Sequence, residues 1–493
     1  MNLADVLDPR DDDDTTVAVY TTSEEVTRTE LRARAEALTV ILREGGLQPG
    51  QAVGVMLPNG PDIVAALFGI WFAGGVYVPL NPRLSADELA HVIAEDRPAA
   101  ILTRPDDAAR VLDVPVVLAT GDGTWDAPGL LDADAPISPT GVAAISFTSG
   151  TTGRPKPVPL VHDNVLGLID GVLGTLRGGS AGATSSIDVP KRVPMPNLIP
   201  TSLSLWAGIY NVIFAFRAGA AVIIMDRFDA QAFAEFVERF QLRSTVLPPA
   251  AMTMLADDES ITSLAPLKYV RSITAPLSPL QARRFRDRFG VFVLNGWGQT
   301  EIGGEIVGWS AQDAKEFGDT HLGAVGRAHE NVHLRIGDEA GEILVRTPMI
   351  EARAADGDDM DGRLVDGWFH TGDLGRLDDE GFLWIEGRVS DMINRGGLKV
   401  FPEEVAEVIR LSPDVAECAV AGIPDDRLGE VPWAFVVPRE GATLDVDALE
   451  TLCREHLAPY KVPARFETLD ALPRNEVGKV LLRELVAHGA RES

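Results

Sequence analysis

The sequence predicts an α/β protein in three parts: a large N-terminal domain built on parallel-type sheets, a β-rich subdomain and a small C-terminal α+β domain. The first observation is an alternation of short β-branched runs with helix-like stretches, which is typical of parallel sheets covered by helices. The second is a change after Gly341 to strands separated by acidic, glycine-bearing turns. The third is a compact unit after Arg388. With 493 residues, 45% of them hydrophobic, the chain can bury several cores.

The strands of the N-terminal domain are short, apolar and β-branched. Helix-like stretches separate them, and this order favours parallel pairing with crossover helices. Five runs carry the prediction: Ala52–Leu57, Val76–Leu80, Ala143–Phe147, Ala220–Met225 and Ser244–Leu247.

Two long uncharged stretches require a test for membrane spans, because a spanning helix needs about 20 apolar residues. Residues 63–82 contain Gly74, Gly75 and Pro79, and they predict a buried helix, a glycine turn and a short strand. Residues 193–216 are interrupted by polar side chains and predict an internal apolar helix with its preceding loop. We therefore expect no stable membrane span.

The β-rich subdomain is expected at about residues 320–388, where two strands stand out, GEILVRTP from Gly341 and GFLWIEGR from Gly381. A boundary at Arg388–Asp391 separates the N-terminal domain, residues 1–388, from the C-terminal domain, residues 389–493. Four elements are expected in the C-terminal domain: a helix near Pro402–Leu411, strands at Glu417–Gly422 and Trp433–Pro438, and a helix from Val446.

Composition excludes several classes of protein. Forty-four Lys and Arg against 73 Asp and Glu leave a net charge of −29, which repels phosphate backbones and argues against nucleic-acid binding. Cys418 and Cys453 are the two cysteines, so a disulfide framework and a cysteine-based zinc site both lack ligands. The N-terminus has no positive start followed by an apolar run, and we therefore expect a cytoplasmic protein rather than a secreted one. The acidic run Asp11–Asp14 is expected to be a solvated tail.

The strongest local signal for chemistry is SFTSGTTGRPK at Ser146–Lys156, directly after an apolar strand. Small hydroxyl residues and glycines bring N–H and O–H donors onto phosphate oxygens, and the terminal lysine adds positive charge. The spacing differs from that of a P-loop, and Pro157 follows the lysine. The segment therefore predicts a phosphate-binding loop of another kind.

Together with five further motifs, this loop resembles the adenylate-forming superfamily of acyl-CoA synthetases, luciferases and peptide-synthetase adenylation domains. The resemblance extends over nearly the whole chain. It implies an α/β fold whose small C-terminal domain is mobile and rotates between adenylation and transfer of the acyl group to a thiol. The five motifs are LNGWGQTE at Leu294–Glu301, WFHTGDLG at Trp368–Gly375, GRVSDMINRGGLKVFPEEV at Gly387–Val405, LAPYKVP at Leu457–Pro463 and LPRNEVGKVLLREL at Leu472–Leu485.

The resemblance assigns the nucleotide site. Asp373 would accept hydrogen bonds from the ribose hydroxyls, with Arg388 as a second ribose or phosphate contact. Trp297 stands where the family usually has a tyrosine, and its larger ring can still stack on adenine. The remaining nucleotide-binding residues are Thr148, Ser149, Gly150, Thr151, Thr152, Lys156, Ala275, Pro276, Asn295, Gly296, Gly298, Gln299 and Thr300.

The resemblance also assigns catalytic roles. Lys479 would reach the α-phosphate and the reacting carboxylate, Lys156 would hold the leaving pyrophosphate, and Glu301 would bind Mg²⁺. Gly396 and Gly397 would let the backbone approach the pantetheine arm of coenzyme A. The hinge falls at Ser390, where aspartate or lysine is more usual.

The resemblance implies an acyl site around residues 193–216. Amino-acid-activating relatives usually place an acidic residue beside the substrate ammonium in this segment, and this sequence has no acidic residue there. A substrate ammonium would be unpaired there, so amino acids are poor candidates. The apolar side chains predict a wall of the acyl pocket, although the same pattern would also serve as plain core. The residues expected in the pocket are Leu198, Ile199, Leu203, Trp206, Gly298 and Ile302.

These observations predict an ATP-dependent acid:CoA ligase, an acid-thiol ligase that forms AMP and pyrophosphate through acyl-AMP. Its substrates and cofactors would be a hydrophobic carboxylic acid, ATP, Mg²⁺ and coenzyme A. One alternative is a stand-alone adenylating enzyme that loads a carrier protein, or one specialised for a single half-reaction beside a paired pathway enzyme. A nucleotide-binding homologue without turnover is a further alternative. Homodimerisation stays open.

Overall fold

The computed structural model describes residues 2–7, 15–111, 114–127, 129–149, 155–176, 194–273, 277, 279–337, 341–355, 357–360, 362–474 and 480–492. The chain divides into two compact units. Unit 1 contains Met1–Leu277 and Gln281–Leu322, and unit 2 contains Ser278–Leu280 and Gly323–Ser493.

The helices begin and end at caps and turns that the local sequence supplies. Thr27, for example, accepts a hydrogen bond from the Glu30 N–H while the Glu30 carboxylate accepts one from the Thr27 N–H. Within the described residues the α-helices are α1 (Arg28–Glu44), α2 (Pro61–Ala73), α3 (Ala86–Asp96), α4 (His162–Leu176), α5 (Trp206–Arg217), α6 (Ala230–Arg239), α7 (Pro249–Asp257), α8 (Pro279–Phe289), α9 (Ala311–Phe317), α10 (Pro348–Ala355), α11 (Pro402–Ile409), α12 (Val446–His456) and α13 (Leu482–Glu492).

The strands follow the predicted apolar runs. In the described residues they are β1 (Val17–Tyr20), β2 (Glu25–Thr27), β3 (Ala52–Met56), β4 (Val76–Pro79), β5 (Ala100–Thr103), β6 (Val116–Ala119), β7 (Trp125–Asp126), β8 (Val142–Ser149), β9 (Pro155–Val161), β10 (Asn197–Ile199), β11 (Val222–Ile224), β12 (Ser244–Leu247), β13 (Tyr269–Ser272), β14 (Phe292–Asn295), β15 (Trp297–Gln299), β16 (Gly304–Gly308), β17 (Arg327–Ala328), β18 (His333–Ile336), β19 (Glu342–Arg346), β20 (Leu364–Val365), β21 (Trp368–Leu377), β22 (Leu383–Arg388), β23 (Ile393–Arg395), β24 (Leu398–Val400), β25 (Val415–Asp425), β26 (Gly429–Pro438) and β27 (Arg465–Thr468). Strand β12 matches its predicted run, β3, β4 and β11 are shorter than predicted, and β8, β25 and β26 are longer.

A seven-stranded sheet in unit 1 has the order β7-β6-β5-β3-β4-β8-β9. Its five inner strands pair in parallel, and the strands at both edges pair antiparallel. The residues of β3, β4 and β5 are buried without alternation, as expected of a parallel sheet covered on both faces. The predicted parallel α/β architecture is therefore confirmed.

Helix α2 confirms the interpretation of residues 63–82. Pro61 opens the helix, and Gly74, at φ 86°, ends it in a left-handed conformation that glycine adopts without a steric penalty. Nearly every side chain of α2 is buried, and the Trp71 indole N–H donates to the Ala143 carbonyl at 2.8 Å. The helix is thus part of the core.

The second uncharged stretch contains one element that the sequence pattern did not predict. The expected helix is present as α5, and the three-residue strand β10 precedes it. Strand β10 belongs to a sheet of order β10-β11-β1-β2, and a parallel sheet β12-β13-β14 lies beside it. The Thr245 hydroxyl donates to the Leu198 carbonyl at 2.9 Å and ties β12 to β10.

Two sheets lie wholly within the described residues of unit 2. The first has the order β18-β19-β21-β20, with β22 pairing β21, and it corresponds to the predicted β-rich subdomain. The second has the order β24-β23-β26-β25, with β27 pairing β26, and it carries the elements predicted after Arg388. Helix α10 and the hairpin of β23 and β24 were not expected from the sequence pattern.

Among the described residues, none of the helices is both long and apolar enough to span a membrane. The interpretation of both uncharged stretches as internal segments is consistent with this result.

Candidate active site

The predicted phosphate loop joins two antiparallel strands at the edge of the seven-stranded sheet. Thr148 lies opposite Lys156, and Ser149 lies opposite Pro155, so the strands bring the two ends of the motif together. Lys156 is exposed on β9. Three predicted residues of the loop lie outside the described residues, namely Gly150, Thr151 and Thr152.

Strand β9 passes beside a short 3₁₀ turn, Thr300–Ile302, that carries Glu301. The turn joins β15 to β16, and these strands pair antiparallel. Glu301 is partly exposed, whereas Ile302 is fully buried and anchors the turn. The fold therefore brings the strand that carries Lys156 next to the turn that carries Glu301.

The adenine motif occupies the end of β14 and all of β15. Asn295 and the Trp297 ring are largely buried, while Gln299 and Thr300 are partly exposed. Two further predicted nucleotide contacts lie outside the described residues, namely Ala275 and Pro276.

Close approach of backbone requires a glycine at position 298 of this motif. A Cβ atom at Gly298 would lie 1.9 Å from the Gly304 carbonyl oxygen on the paired strand and would push β15 and β16 apart. A Cβ atom at Gly296 would lie 2.9 Å from Oε2 of Glu305, so the end of that side chain would have to move.

The residues predicted for the acyl site differ in their surroundings. Leu198 and Ile199 are adjacent in β10, point to opposite faces and are fully buried in two separate apolar clusters. Leu203 and Trp206 are also buried in packed apolar surroundings, but they lie on the loop before α5 and on its first turn. Gly298 is exposed.

Hydrogen bonds position the loop before α5. The Leu203 N–H donates to Oδ1 of Asn59 at 2.8 Å, and the Asn59 amide donates to the Thr201 carbonyl at 3.2 Å. The Trp206 indole N–H donates to the Gly303 carbonyl at 3.0 Å. Trp206 therefore contacts the segment that connects the Glu301 turn to β16.

Sequence reasoning missed a polar group at this place. Arg271 on β13 forms a salt bridge with Glu305 on β16, and both side chains are largely buried. Burial disfavours the charged guanidinium, but the Glu305 carboxylate outweighs this effect and raises the pKa of Arg271. The signal was present as an arginine inside an apolar strand, YVRS, and a glutamate directly after two glycines.

The two predicted ribose contacts are paired in unit 2. Asp373 and Arg388 lie opposite each other on β21 and β22, and the Arg388 Nε donates to Oδ1 of Asp373 at 2.8 Å. The Asp373 side chain is 6% exposed and that of Arg388 is 47% exposed. The Thr371 hydroxyl accepts from the Asp373 N–H at 3.1 Å and donates to the Ile343 carbonyl at 2.7 Å. The carboxylate is thus held firmly.

The predicted pantetheine and hinge residues lie further along unit 2. Gly396 and Gly397 form the two-residue turn between β23 and β24, with φ values of 59° and 88°. Such a turn requires positive φ at both positions, which explains the glycine pair. Ser390 is exposed in the 3₁₀ turn Val389–Asp391. Lys479 lies outside the described residues.

The chain is similar to known proteins over nearly its whole length. The profile of the AMP-binding enzyme family matches residues 9–352, and the profile of the AMP-binding enzyme C-terminal domain matches residues 404–479. The indoleacetate–CoA ligase of Aromatoleum aromaticum is 33% identical, with 93% of this chain and 92% of that protein covered.

A second relative comes from Mycobacterium tuberculosis and is also 33% identical, with 93% of this chain and 94% of that protein covered. It is a CoA ligase named for a propanoyl group on a methyl-dioxo-octahydroindene ring. The crystal structure of ATP-bound MatB from Rhodopseudomonas palustris superposes with a TM-score of 0.85 at 27% identity, covering 99% of both chains. The chain therefore belongs to the AMP-binding enzyme family and is an adenylate-forming acid–thiol ligase of the acyl-CoA synthetase type.

Proposed function

We propose that this enzyme uses ATP to activate a hydrophobic carboxylic acid as acyl-AMP and then transfers the acyl group to the thiol of coenzyme A. The observation that carries the proposal is the meeting of three segments in unit 1. The strand with Lys156 passes beside the turn with Glu301, and Trp206 donates to Gly303 at the end of that turn. The segments proposed to bind the phosphates, the metal ion and the acyl group therefore lie next to each other.

The first half-reaction brings a carboxylate towards the α-phosphate of ATP, and both groups are negative. Cations and aligned donors must therefore stand where charge develops. Lys156 supports this role because it is exposed at the mouth of the hairpin whose loop carries the small hydroxyl residues. Lys479 would supply a second cation at the α-phosphate and the reacting carboxylate.

Glu301 fits a magnesium site. Its carboxylate is partly exposed on a turn that is anchored by the buried Ile302, so a hard oxygen ligand is presented at a fixed place. Mg²⁺ commonly takes one or two protein carboxylates together with substrate phosphates. When bound, the ion would neutralise phosphate charge.

The Arg388 Nε donates to Oδ1 of Asp373. Each carboxylate oxygen can accept more than one hydrogen bond, so the carboxylate would also accept from a ribose hydroxyl of ATP. The charged pair thereby provides a preorganised acceptor for the nucleotide sugar.

The acid is proposed to be medium or long, cyclic or otherwise bulky. Residues 194–216 of the described chain contain no acidic side chain that could pair with a substrate ammonium, and their apolar side chains are largely buried. The names of the two curated relatives refer to acids that carry a fused ring, and they support a bulky acid for this chain.

Coenzyme A is the proposed acceptor. Both curated relatives named above are CoA ligases, which supports this acceptor. In the alternative function, a stand-alone adenylating enzyme, the acceptor would be a carrier protein. Purified acyl-AMP offered to the enzyme with either CoA or a carrier protein separates the two. Acyl transfer to the carrier alone would exclude CoA.

We also propose that residues 389–493 move as a domain about Ser390.

We further propose that the enzyme works in the cytoplasm. Cys418 and Cys453 are both buried as free thiols, which is compatible with a reducing compartment. Burial raises the pKa of both thiols, to about 12 for Cys418 and about 11 for Cys453, so neither acts as a nucleophile.

The central test is Lys479→Ala. We expect ATP-dependent acyl-AMP formation to fall by about two to four orders of magnitude, because a cation at the reacting centre is lost. Transfer from supplied acyl-AMP to CoA should survive better. Pyrophosphate release and thioester formation measure the two steps across a panel of ring-bearing acids.

Lys315→Ala is the matched control, since Lys315 is exposed on α9. Equal adenylation rates in Lys479→Ala and the parent would refute the role of Lys479. If the parent forms acyl-AMP from none of the acids, the hydrophobic substrate class is wrong.

A further inference from the structure

A buried polar group of three residues lies beside the predicted acyl wall: Tyr210 on α5, Arg271 on β13 and Glu305 on β16. All three belong to unit 1. None of them belongs to the motifs that bind ATP. Their position and chemistry indicate a contact with the acid rather than with the nucleotide.

Tyr210 approaches the site from the same helix face as Trp206. The two residues are four positions apart on α5 and therefore project from one side of the helix. Trp206 donates to the Gly303 carbonyl, and the Tyr210 ring lies so close to Gly304 that a Cβ atom there would be 2.9 Å from Cε2. Both aromatic side chains thus cover the segment that joins the Glu301 turn to β16.

The salt bridge between Arg271 and Glu305 stands next to this segment. Glu305 lies opposite Gly298 in the paired strands, and its carboxylate lies over Gly296. Gly298 is one of the residues predicted to contact the acid. The carboxylate and the guanidinium are therefore at the junction of the adenine motif and the acyl wall.

A core this apolar does not need these groups. Replacing a buried ion pair by packed apolar residues is often neutral or stabilising. Stability alone therefore does not explain why Arg271 and Glu305 are present here. The Tyr210 hydroxyl is buried and has no hydrogen-bond partner among the described residues. Burial raises the pKa of Tyr210 further above its usual range, and the hydroxyl remains a neutral donor at all physiological pH values.

The charges of the pair decide what kind of group it can receive. Glu305 already balances Arg271, so a second substrate carboxylate would find no uncompensated positive charge. A neutral oxygen atom can instead accept from the Tyr210 hydroxyl and from a further N–H of the guanidinium, which has five donors.

We propose that Tyr210, together with the Arg271–Glu305 pair, determines substrate specificity by binding a neutral oxygen, a carbonyl or a hydroxyl, on the ring of the acid and remote from its carboxylate. This inference rests on the proposed activation of a bulky acid. It narrows the substrate class to ring acids that carry such an oxygen.

The test compares matched acids with and without the oxygen: 3-(4-oxocyclohexyl)propanoate against 3-cyclohexylpropanoate, and 4-hydroxyphenylacetate against phenylacetate. A site built for a hydrogen bond rejects the analogue that lacks it. We expect the parent to prefer the oxygen-bearing member by about tenfold or more in kcat/KM and in Kd from calorimetry. Tyr210→Phe should reduce that preference about fivefold or more.

Tyr77→Phe is the matched control, because Tyr77 is also buried without a hydroxyl partner among the described residues but lies in the core on β4. It should keep the preference of the parent. The double variant Arg271→Met, Glu305→Leu removes both charges together, leaves no unpaired ion, and should reduce the preference as Tyr210→Phe does.

Turnover of both members of each pair without preference, or an unchanged preference in Tyr210→Phe, would overturn the inference while the proposed function stands. Tighter binding of 4-carboxyphenylacetate than of 4-hydroxyphenylacetate would overturn the neutral-oxygen specificity. Selective binding of the oxygen-bearing acids without acyl-AMP formation would support the inference and contradict the proposed function. Binding of no acid in any pair would contradict both.

Discussion

Asp373, the predicted ribose contact, shows how neighbouring residues hold a buried carboxylate in place. The carboxylate is almost fully buried, its backbone N–H is bound by Thr371, and Arg388 compensates its charge from the neighbouring strand. Buried carboxylates are rarely retained without such compensation. The arrangement holds the carboxylate in a fixed position, and the ion pair offsets part of its desolvation cost.

We predict that Asp373→Asn raises KM for ATP by about tenfold or more, because a hydrogen bond to a charged group contributes roughly 1.5–3 kcal/mol. Steady-state kinetics with varied ATP measure the change. Asp366→Asn, in an exposed turn of the same sheet at φ 51°, is the matched control, since asparagine tolerates that conformation. An unchanged KM in Asp373→Asn would argue against the ribose role.

Helix α4 shows how an element is joined to the N-terminus. His162 is its first residue, and Nδ1 of His162 accepts from the Leu3 N–H at 3.1 Å. The ring also makes an edge contact with Trp71 on α2. The short 3₁₀ turn Leu3–Leu7 is thereby held to two helices of the core.

This contact predicts a pH dependence. Burial lowers the pKa of His162 to about 4, although Asp163 and Asp5 oppose the effect. Between pH 6.5 and 4 the unfolded chain binds more protons than the folded one, so the contribution of His162 to stability is complete above pH 6.5 and is lost as the pH falls. From pH 6.5 to 5 the loss should be roughly 1 kcal/mol, allowing for partial exposure.

Urea unfolding of the parent and of His162→Asn at pH 7, 6.5, 6, 5.5 and 5 measures this loss. The variant keeps an acceptor but cannot be protonated, so the difference in stability between the two proteins should change across the series. His333→Asn, exposed on β18, controls for the removal of an imidazole. A constant difference between parent and His162→Asn would show that the histidine is not linked to folding.

At the scale of the whole molecule, the proposed sequence of two half-reactions would require residues 389–493 to move. The proposed pivot Ser390 lies in an exposed 3₁₀ turn, and its hydroxyl donates to Oδ1 of Asp391 at 2.9 Å. Few side-chain contacts hold such a turn, so its backbone can absorb a large dihedral change.

We predict that Ser390→Pro slows overall thioester formation by about tenfold or more, because proline fixes φ at about −65° and blocks the proposed change. When acyl-AMP formation and acyl transfer to coenzyme A are each assayed alone, one of the two rates should stay within about twofold of the parent. Ser390→Ala keeps the backbone freedom and serves as the control. Unchanged rates of both half-reactions and of the overall reaction in Ser390→Pro would place the hinge elsewhere.

The segments predicted to bind the nucleotide are each contiguous in the sequence. The loop at Ser146–Lys156, the WGQTE segment and the TGD segment each carry their donors, ligands or glycines within one strand and its adjoining turn. Because each of these segments carries its functional groups within a few consecutive residues, the sequence is enough to predict its chemistry. The parallel sheets were predictable for the same reason, since apolar runs and their spacing are local properties.

Contacts between segments that are distant in the sequence could not be predicted in this way. Arg271, Tyr210 and Glu305 come from two strands and a helix, and neither periodicity nor a motif indicates that they meet. The same holds for β10, because three residues have too little pattern to distinguish a strand from a loop. Amino-acid order specified the family and the reaction because those depend on short segments, whereas the fine selection of the acid depends on side chains that folding brings together across the chain.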